Sequence, residues 1–342
     1  MIIMADTTFN RVFTLRHRII ALILIMIASF HTNVYSAELS SVTVVGKTGI
    51  QLIAQDIKAV VATESADVSS MLHIIGNGVD KSVEAAFSYT TVSELENLNI
   101  YTDNDQLKWR SEKDSDSGSV TVSFTVPCPP KDEYLGIGLT FTVPFASGKY
   151  GVEDINFSWD LSPAKSWAGV VKDSRLTIYL RDASYEQISS INPEPISRDN
   201  NRIMWQKSKS EPSETVVIAI MKDELYYTLA TAGELIEKDP ANAHAHFLLG
   251  AALFAHSLSG DSNMIEAIDA FEKALSIEAD HTGALWFLAV SYHLNDRNAD
   301  VKSTLETLVS LEPSYHCEHR LFPKALMNEL PASSPKAWLD LR

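Results

Sequence analysis

Near the C-terminus His316, Cys317, Glu318 and His319 place imidazole nitrogens and a thiol sulfur within one short stretch, donor types that zinc or copper accepts. A tight metal site needs three or four ligands in matched geometry. No second CxxC and no HxxxH stands elsewhere to complete one, so a polar turn is the expected role. Val45-Gly46-Lys47-Thr48 ends as a phosphate-binding loop ends, but the pattern requires a glycine where Ser41 stands, and no helical sequence follows. The carboxylates Asp114, Asp116, Glu153 and Asp154 lie in loop-forming sequence, where solvated charge is the ordinary role and calcium ligation the lesser one. Neither a G-x-S-x-G elbow nor an H-E-x-x-H helix occurs. The chain therefore offers no catalytic residues, metal ligands or cofactor site to build on, although an enzyme or ligand site assembled from dispersed β-region residues is the competing reading. What its spacing does offer is a binding surface.

That surface comes from helical periodicity between Glu224 and Pro313. Ala245, Leu249, Gly250, Ala252, Ala267, Phe271 and Ala274 recur at helical spacing, followed by Ala284, Leu288, Ala289, Tyr292, Val301, Leu305, Leu308 and Pro313. Ala274 and Leu308 stand 34 residues apart, as do Ala279 and Pro313. Helices are expected at Glu224–Glu237, Ala243–Ser257, Met264–Glu278, Gly283–Leu294 and Val301–Leu311, with Leu258 to Asn263 as an enlarged turn. The pattern resembles the tetratricopeptide repeat, a helix-turn-helix unit that binds proteins or peptides. By that resemblance the first helix of each pair lines a concave groove, which places Phe247, Ala251, Phe254 and Ala255 from one repeat beside Trp286, Val290, His293 and Leu294 from the next. The version of the family that grips a terminal carboxylate carries lysine and asparagine where Phe247, Ala251, Trp286 and Val290 stand here. An apolar segment or amphipathic helix of a protein partner is the expected occupant. Two and a half repeats bury too little by themselves, so a cap is required, with Lys324–Leu330 and the preceding Leu321 and Phe322 as candidates. Occupation of the groove by the chain's own tail, or by its β region, is the alternative.

Ahead of the helices, residues 38–221 read as strands. Short β-rich runs occur at Ser41–Val45, Ile50–Ala54, Ile57–Thr63, Val68–Ile75, Ala85–Thr91, Ser119–Val126, Leu135–Val143, Leu176–Leu180 and Thr215–Ile220. Many strands without intervening helices predict an antiparallel β-sandwich, and Cys128-Pro129-Pro130 marks where two smaller β subdomains could divide. Phe157-Ser158-Trp159, then Ser166 through Val171 with Trp167, Leu176-Thr177-Ile178 and Trp205 are similar to exported bacterial β-domains of uncharacterised function. Tryptophans so close to strands are expected to pack in the core rather than to form a ligand platform.

Arg11, Arg16 and Arg18 precede an apolar run from Ile19 to Phe30 and then Val34-Tyr35-Ser36-Ala37, the layout of an export signal; the run is too short to span a bilayer comfortably. Export to a periplasm-type compartment is expected, with an inner-membrane anchor over residues 19–35 as the alternative. The formal net charge of −16 repels phosphate backbones and anionic headgroups, which argues against nucleic-acid and direct lipid binding. Cys128 and Cys317 are expected as two separate thiols, a bridge between them being the lesser possibility. The expected organisation is thus α+β with two domains: a signal at 1–37, an antiparallel β-sandwich at 38–221, tetratricopeptide-like helices at 222–313 and a capping tail at 314–342.

Overall fold

The computed structural model describes residues 37–341 except 46–48, 77, 79–80, 92–93, 104, 146–153, 210–213, 259–263 and 333. The proposed export signal, the Gly-Lys-Thr loop and most of the enlarged turn after Leu258 lie outside the described residues. The chain divides into a β unit, 35–147 with 155–220, and a helical unit formed mainly by 221–342.

Fifteen strands are described in the β unit. One sheet contains β1 (Ala37–Ser40), β2 (Thr43–Val44), β5 (Ser82–Thr90), β7 (Trp109–Lys113), β8 (Val120–Pro127), β10 (Ile155–Asp160), β12 (Ile188–Asn192) and β15 (Thr215–Ile220), in the order β12-β15-β10-β1-β5-β8-β7 with β2 also on β5. The other contains β3 (Gln51–Val61), β4 (Ser65–Ile75), β6 (Glu96–Thr102), β9 (Tyr134–Pro144), β11 (Asp173–Leu180), β13 (Ser197–Arg198) and β14 (Arg202–Ser208), in the order β13-β14-β11-β3-β4-β9-β6. Their inner faces share one apolar core, in which Phe87 of the first sheet stacks on Phe141 of the second at 5.5 Å. A division into two subdomains near Cys128 is therefore not what forms.

The expectation of antiparallel sheets is corrected. β1 runs parallel to β10, and β3 runs parallel to β11, so both sheets are mixed. Each parallel seam joins an early strand to a late one, and parallel neighbours need a long crossover rather than a tight turn. Side chains of β10, of the segment after it and of β3 stitch the two seams. Trp159 Nε1 donates to Ser41 Oγ at 3.1 Å, Trp167 Nε1 to the Val42 carbonyl at 3.0 Å, and buried Gln55 Nε2 to Ser174 Oγ at 2.7 Å. Trp205 Nε1 reaches the Pro193 carbonyl at 2.8 Å. These indoles are buried packing with their N–H groups satisfied, as the cost of orphaning a buried donor requires.

The helical unit comprises α1 (Asp223–Lys238), α2 (Ala243–Ser257), α3 (Ile265–Ile277), α4 (Thr282–Leu294) and α5 (Asn298–Leu311), followed by two short helices, α6 (Lys324–Met327) and α7 (Pro335–Asp340). Asn242 caps α2 by accepting from the Ala245 amide, and His281 caps α4 by accepting from the Ala284 amide. Successive helices pack on one another, and α2 also touches α4. Tyr292 on α4 donates to Glu272 of α3 at 2.6 Å while the Arg297 guanidinium lies 4.2 Å from the Tyr292 ring, which ties the two helices at their exposed margin. Among the described residues no helix is long and apolar enough to cross a membrane.

Close approach of α2 and α3 depends on Gly250. A Cβ there would lie 2.5 Å from Cε1 of the fully buried Phe271. Alanine would gain up to about 1 kcal/mol of helix propensity, but overpacking a closed core costs about 1–3 kcal/mol, and the second effect dominates. Gly250→Ala is therefore expected to lower stability by about 1–2 kcal/mol, read from urea unfolding of the helical signal at 222 nm; a stabilised variant would show that Phe271 yields freely.

Candidate functional site: the helical groove

The groove positions inferred from the sequence sit on α2 and α4, and the chain's own C-terminal segment lies against Phe247, Phe254, Trp286 and His293. Phe247, Ala251, Phe254, Ala255, Trp286 and Val290 are buried, Trp286 to 1 % exposure and Phe254 to 0 %. His293 is half-buried, and Leu294 at 40 % is the one position of the set that faces solvent. Phe254 stacks on Phe322 at 5.8 Å with the rings 10° from parallel. Trp286 is met from three sides by Tyr315 at 6.2 Å, Phe322 at 6.1 Å and Trp338 at 5.8 Å. The His293 ring stands edge-on to Trp338 at 5.1 Å.

The physical reason is the size of the array. Helices α2 and α4 are apolar almost all round, which marks them as buried rather than half-exposed. Left open, their aromatic faces would form a patch that a single chain rarely presents to water. Leu321, Phe322, Leu326, Leu330 and Trp338 complete the core of the helical unit. Of these, Leu321, Phe322, Leu326 and Leu330 were legible as a cap. Trp338 and Tyr315 were missed, because Tyr315 stands alone among polar residues and the apolar stretch around Trp338 is too short to show a period. One feature of the seat is imperfect: Trp286 Nε1 is buried and has no hydrogen-bond partner among the described residues.

A second cluster lies at the other end of the groove. Phe247 is flanked by His281 at 4.7 Å and His319 at 5.2 Å, and His244 stacks on His281 at 6.0 Å. Each of the two Nδ1 atoms accepts a backbone amide, His281 from Ala284 at 3.1 Å and His319 from Leu321 at 3.3 Å. A protonated imidazole has no acceptor nitrogen, so protonation breaks both bonds. Burial lowers the pKa of His281; Glu278 and Asp280 oppose that shift, while His244 adds to it. Burial likewise lowers that of His319, with His244 and Arg320 adding to the effect. His256 runs the other way: burial pushes it down, but Asp154, at 3.8 Å and packed with the same unit, outweighs this and leaves its pKa raised.

Of the His316–His319 stretch only His319 enters this aromatic seat; Cys317 packs at the edge of the helical core, and His316 and Glu318 are exposed. Among the described residues no group of three or more His, Cys, Asp or Glu side chains is arranged to hold a metal. Neither Cys128 nor Cys317 is in a disulfide, and burial pushes the Cys317 thiol up, away from the thiolate form that reacts.

No family model matches the chain, so membership of the tetratricopeptide-repeat family is not confirmed, and no curated protein matches it. Among solved structures it is similar to a protein of Legionella pneumophila provisionally named a nutrient-binding protein, with 10% identity and a TM-score of 0.40 over 81% of this chain and 99% of that one. It is also similar to native leukotriene A4 hydrolase of Saccharomyces cerevisiae, with 10% identity and a TM-score of 0.31 over 71% of this chain and 51% of that one. The yeast enzyme in complex with bestatin gives 10% identity and 0.31 over 86% and 58%. The chain thus spans about half the length of the yeast enzyme. At these values neither fold nor function passes from those proteins to this one.

The histidine cluster sets a pH dependence. A histidine whose folded pKa is depressed takes up protons on unfolding, so its contribution is complete above the ordinary value of about 6.5 and drains as pH falls through the depressed one. His281 and His319 lose stability in that acid window, whereas His256 loses it only as pH rises through its raised value. The midpoint of helical thermal unfolding is expected to fall between about pH 7.5 and pH 5, and His319→Gln is expected to fall less than the unaltered chain. Equal pH profiles would remove His319 from the seat.

Proposed function

We propose that this chain is a non-catalytic binding protein whose helical groove is held by its own C-terminal segment and is presented to an apolar segment of a protein partner when that segment yields. The observation that carries the reading is the covering of Phe254 and Trp286 by Phe322 and Trp338. Three further features support a replaceable occupant. The covering segment is held by two helices of four and six residues, short pieces with little helical stability of their own. The Trp286 N–H, left without a partner, is a donor that a partner's carbonyl could meet at a gain of about 1–3 kcal/mol. Finally, Leu294 continues the apolar surface to the outside.

The setting belongs to the same proposal: export to a periplasm-type compartment, or retention at the inner membrane through residues 19–35, with the acidic charge selecting against nucleic acid and anionic lipid. A purely structural reading, in which the segment never leaves, is favoured by the number of rings that meet Trp286. The two readings differ in what loosening the segment does. Trp338→Ala removes the largest side chain of the segment, at a cost of about 3–5 kcal/mol to its docking, and Trp338→Phe keeps most of the packing. In intact cells, crosslinking followed by mass spectrometry is expected to give a protein partner joined to α2 or α4 in the Trp338→Ala variant, suppressed by an added peptide spanning 314–341. A folded Trp338→Ala variant that gains no partner would support the structural reading and overturn the binding one.

A further inference from the structure

The β unit carries a second surface that owes nothing to the helical groove. On the outer face of the sheet containing β3, β4, β9 and β11, the strand registers set Tyr179, Val60, Asp67 and Thr142 side by side in one row. Thr177, Lys58, Ser69, Thr140 and Asn99 form the next. Across these rows lies a depression of about 380 Å³ lined by Lys58, Asp67, Ser69, Asn97, Thr140 and Tyr179. That is the small end of the range in which ligand sites fall.

Its charges are already matched. Lys58 Nζ lies 3.7 Å from Asp56 Oδ2. Asp67 accepts from Arg181 Nη2 at 2.6 Å and from Thr142 Oγ1 at 2.9 Å. On the flanking strands Arg175 lies 3.8 Å from Asp173, and Arg202 lies 3.2 Å from Asp199. Each of these charges already faces an opposite one at the surface, so the depression presents no unopposed charge to a ligand.

Its hydrogen-bonding capacity is not matched. Of the residues lining it, the side chains of Ser69, Thr140 and Asn97 make no hydrogen bond with the described residues. Hydroxyls both donate and accept, and an amide offers two donors and an acceptor, which suits a ligand that itself does both. The Tyr179 ring and the Val60 side chain supply an apolar floor beside them. Asn97 is brought there by an irregularity: the register of β6 against β9 shifts between Glu96 and Asn99, and Asn97 takes a left-handed backbone with φ of 55°. Bulges of this kind re-aim one side chain out of the strand alternation, and they gather beside binding sites.

We infer that this depression is a binding site for a neutral polyhydroxylated ligand, a saccharide of one or two rings, with Ser69, Asn97 and Thr140 meeting its hydroxyls and Tyr179 with Val60 meeting a ring face. The conformation of Asn97 supplies a clean variant. Glycine favours the left-handed region, so Asn97→Gly deletes the amide without straining the bulge. Thr140→Val deletes a hydroxyl while keeping the branched shape.

Saturation-transfer NMR on the full chain, with glucose, galactose, mannose, N-acetylglucosamine and their disaccharides, is the test. At least one of these sugars is expected to receive saturation, and its affinity to fall roughly 5–10-fold in each variant, the loss of one hydrogen bond. The thermal midpoint of Asn97→Gly is expected to be unchanged or higher, which separates lost contact from lost fold. Failure of every sugar to bind would overturn the assignment. So would binding unaffected by both variants, or preference for glucuronate, glucosamine or inorganic phosphate over the neutral sugars.

Discussion

The contact of Trp286 with Trp338 and Phe322 is the interaction on which the helical unit depends. Five helices that pack on their neighbours in chain order leave apolar faces that no helix of the row covers. α4 packs between α3 and α5 and still has a further apolar face, since every residue from Ala284 to Tyr292 is buried. Something apolar must lie on Trp286 or water must, and the chain supplies the occupant from its own end. From this one constraint follow the burial of Phe254, the position of His319 against Phe247, and the rise in the Cys317 pKa.

The β unit obeys a different constraint. Two parallel seams, β1 with β10 and β3 with β11, bring strands from opposite ends of its sequence together, and hairpins spread outward from each. Pairing so distant costs loop-closure entropy before it returns any contact. The indole and amide bonds of Trp159, Trp167 and Gln55 lie at these seams, where a buried polar group that is satisfied fixes register as no apolar contact does. The same register then decides which side chains meet on the outer face. A slip of one residue in β3 would turn Lys58 and Val60 inward and remove the depression.

How far the sequence could be read depended on what periodicity encodes. The bounds of α2, Ala243–Ser257, were legible because Asn242 is a strong cap and the apolar residues recur at helical spacing, and Thr215–Ile220 was legible as a dense β-branched run. Ile50–Ala54 and Ile57–Thr63 read as two strands but form the single strand β3, because the polar pair between them is half inside: Gln55 is buried on Ser174. β7 went unseen because every residue of it is exposed, and a strand without a buried face shows no alternation. β6 was hidden by its bulge. Strand direction was beyond reach altogether, since alternation is the same in parallel and antiparallel neighbours, and so the mixed sheets were not foreseen. Within the groove, helical spacing identified the residues that face inward. It carried no information on which apolar segment fills the space, and both the chain's tail and a partner satisfied it equally.

Hydrogen exchange on the full chain at neutral pH, resolved to the C-terminal segment, tests the self-occupied groove most directly. The amides of Phe322, Leu326 and Trp338 are bonded to His319, Pro323 and Ser334 carbonyls within short turns that only docking can hold. The account predicts that they exchange at least about a hundredfold more slowly than in an isolated peptide spanning 314–341, as amides of a cooperatively packed element do. Exchange at the rate of the free peptide would mean that the segment does not lie on Trp286 in solution, and that the groove stands open.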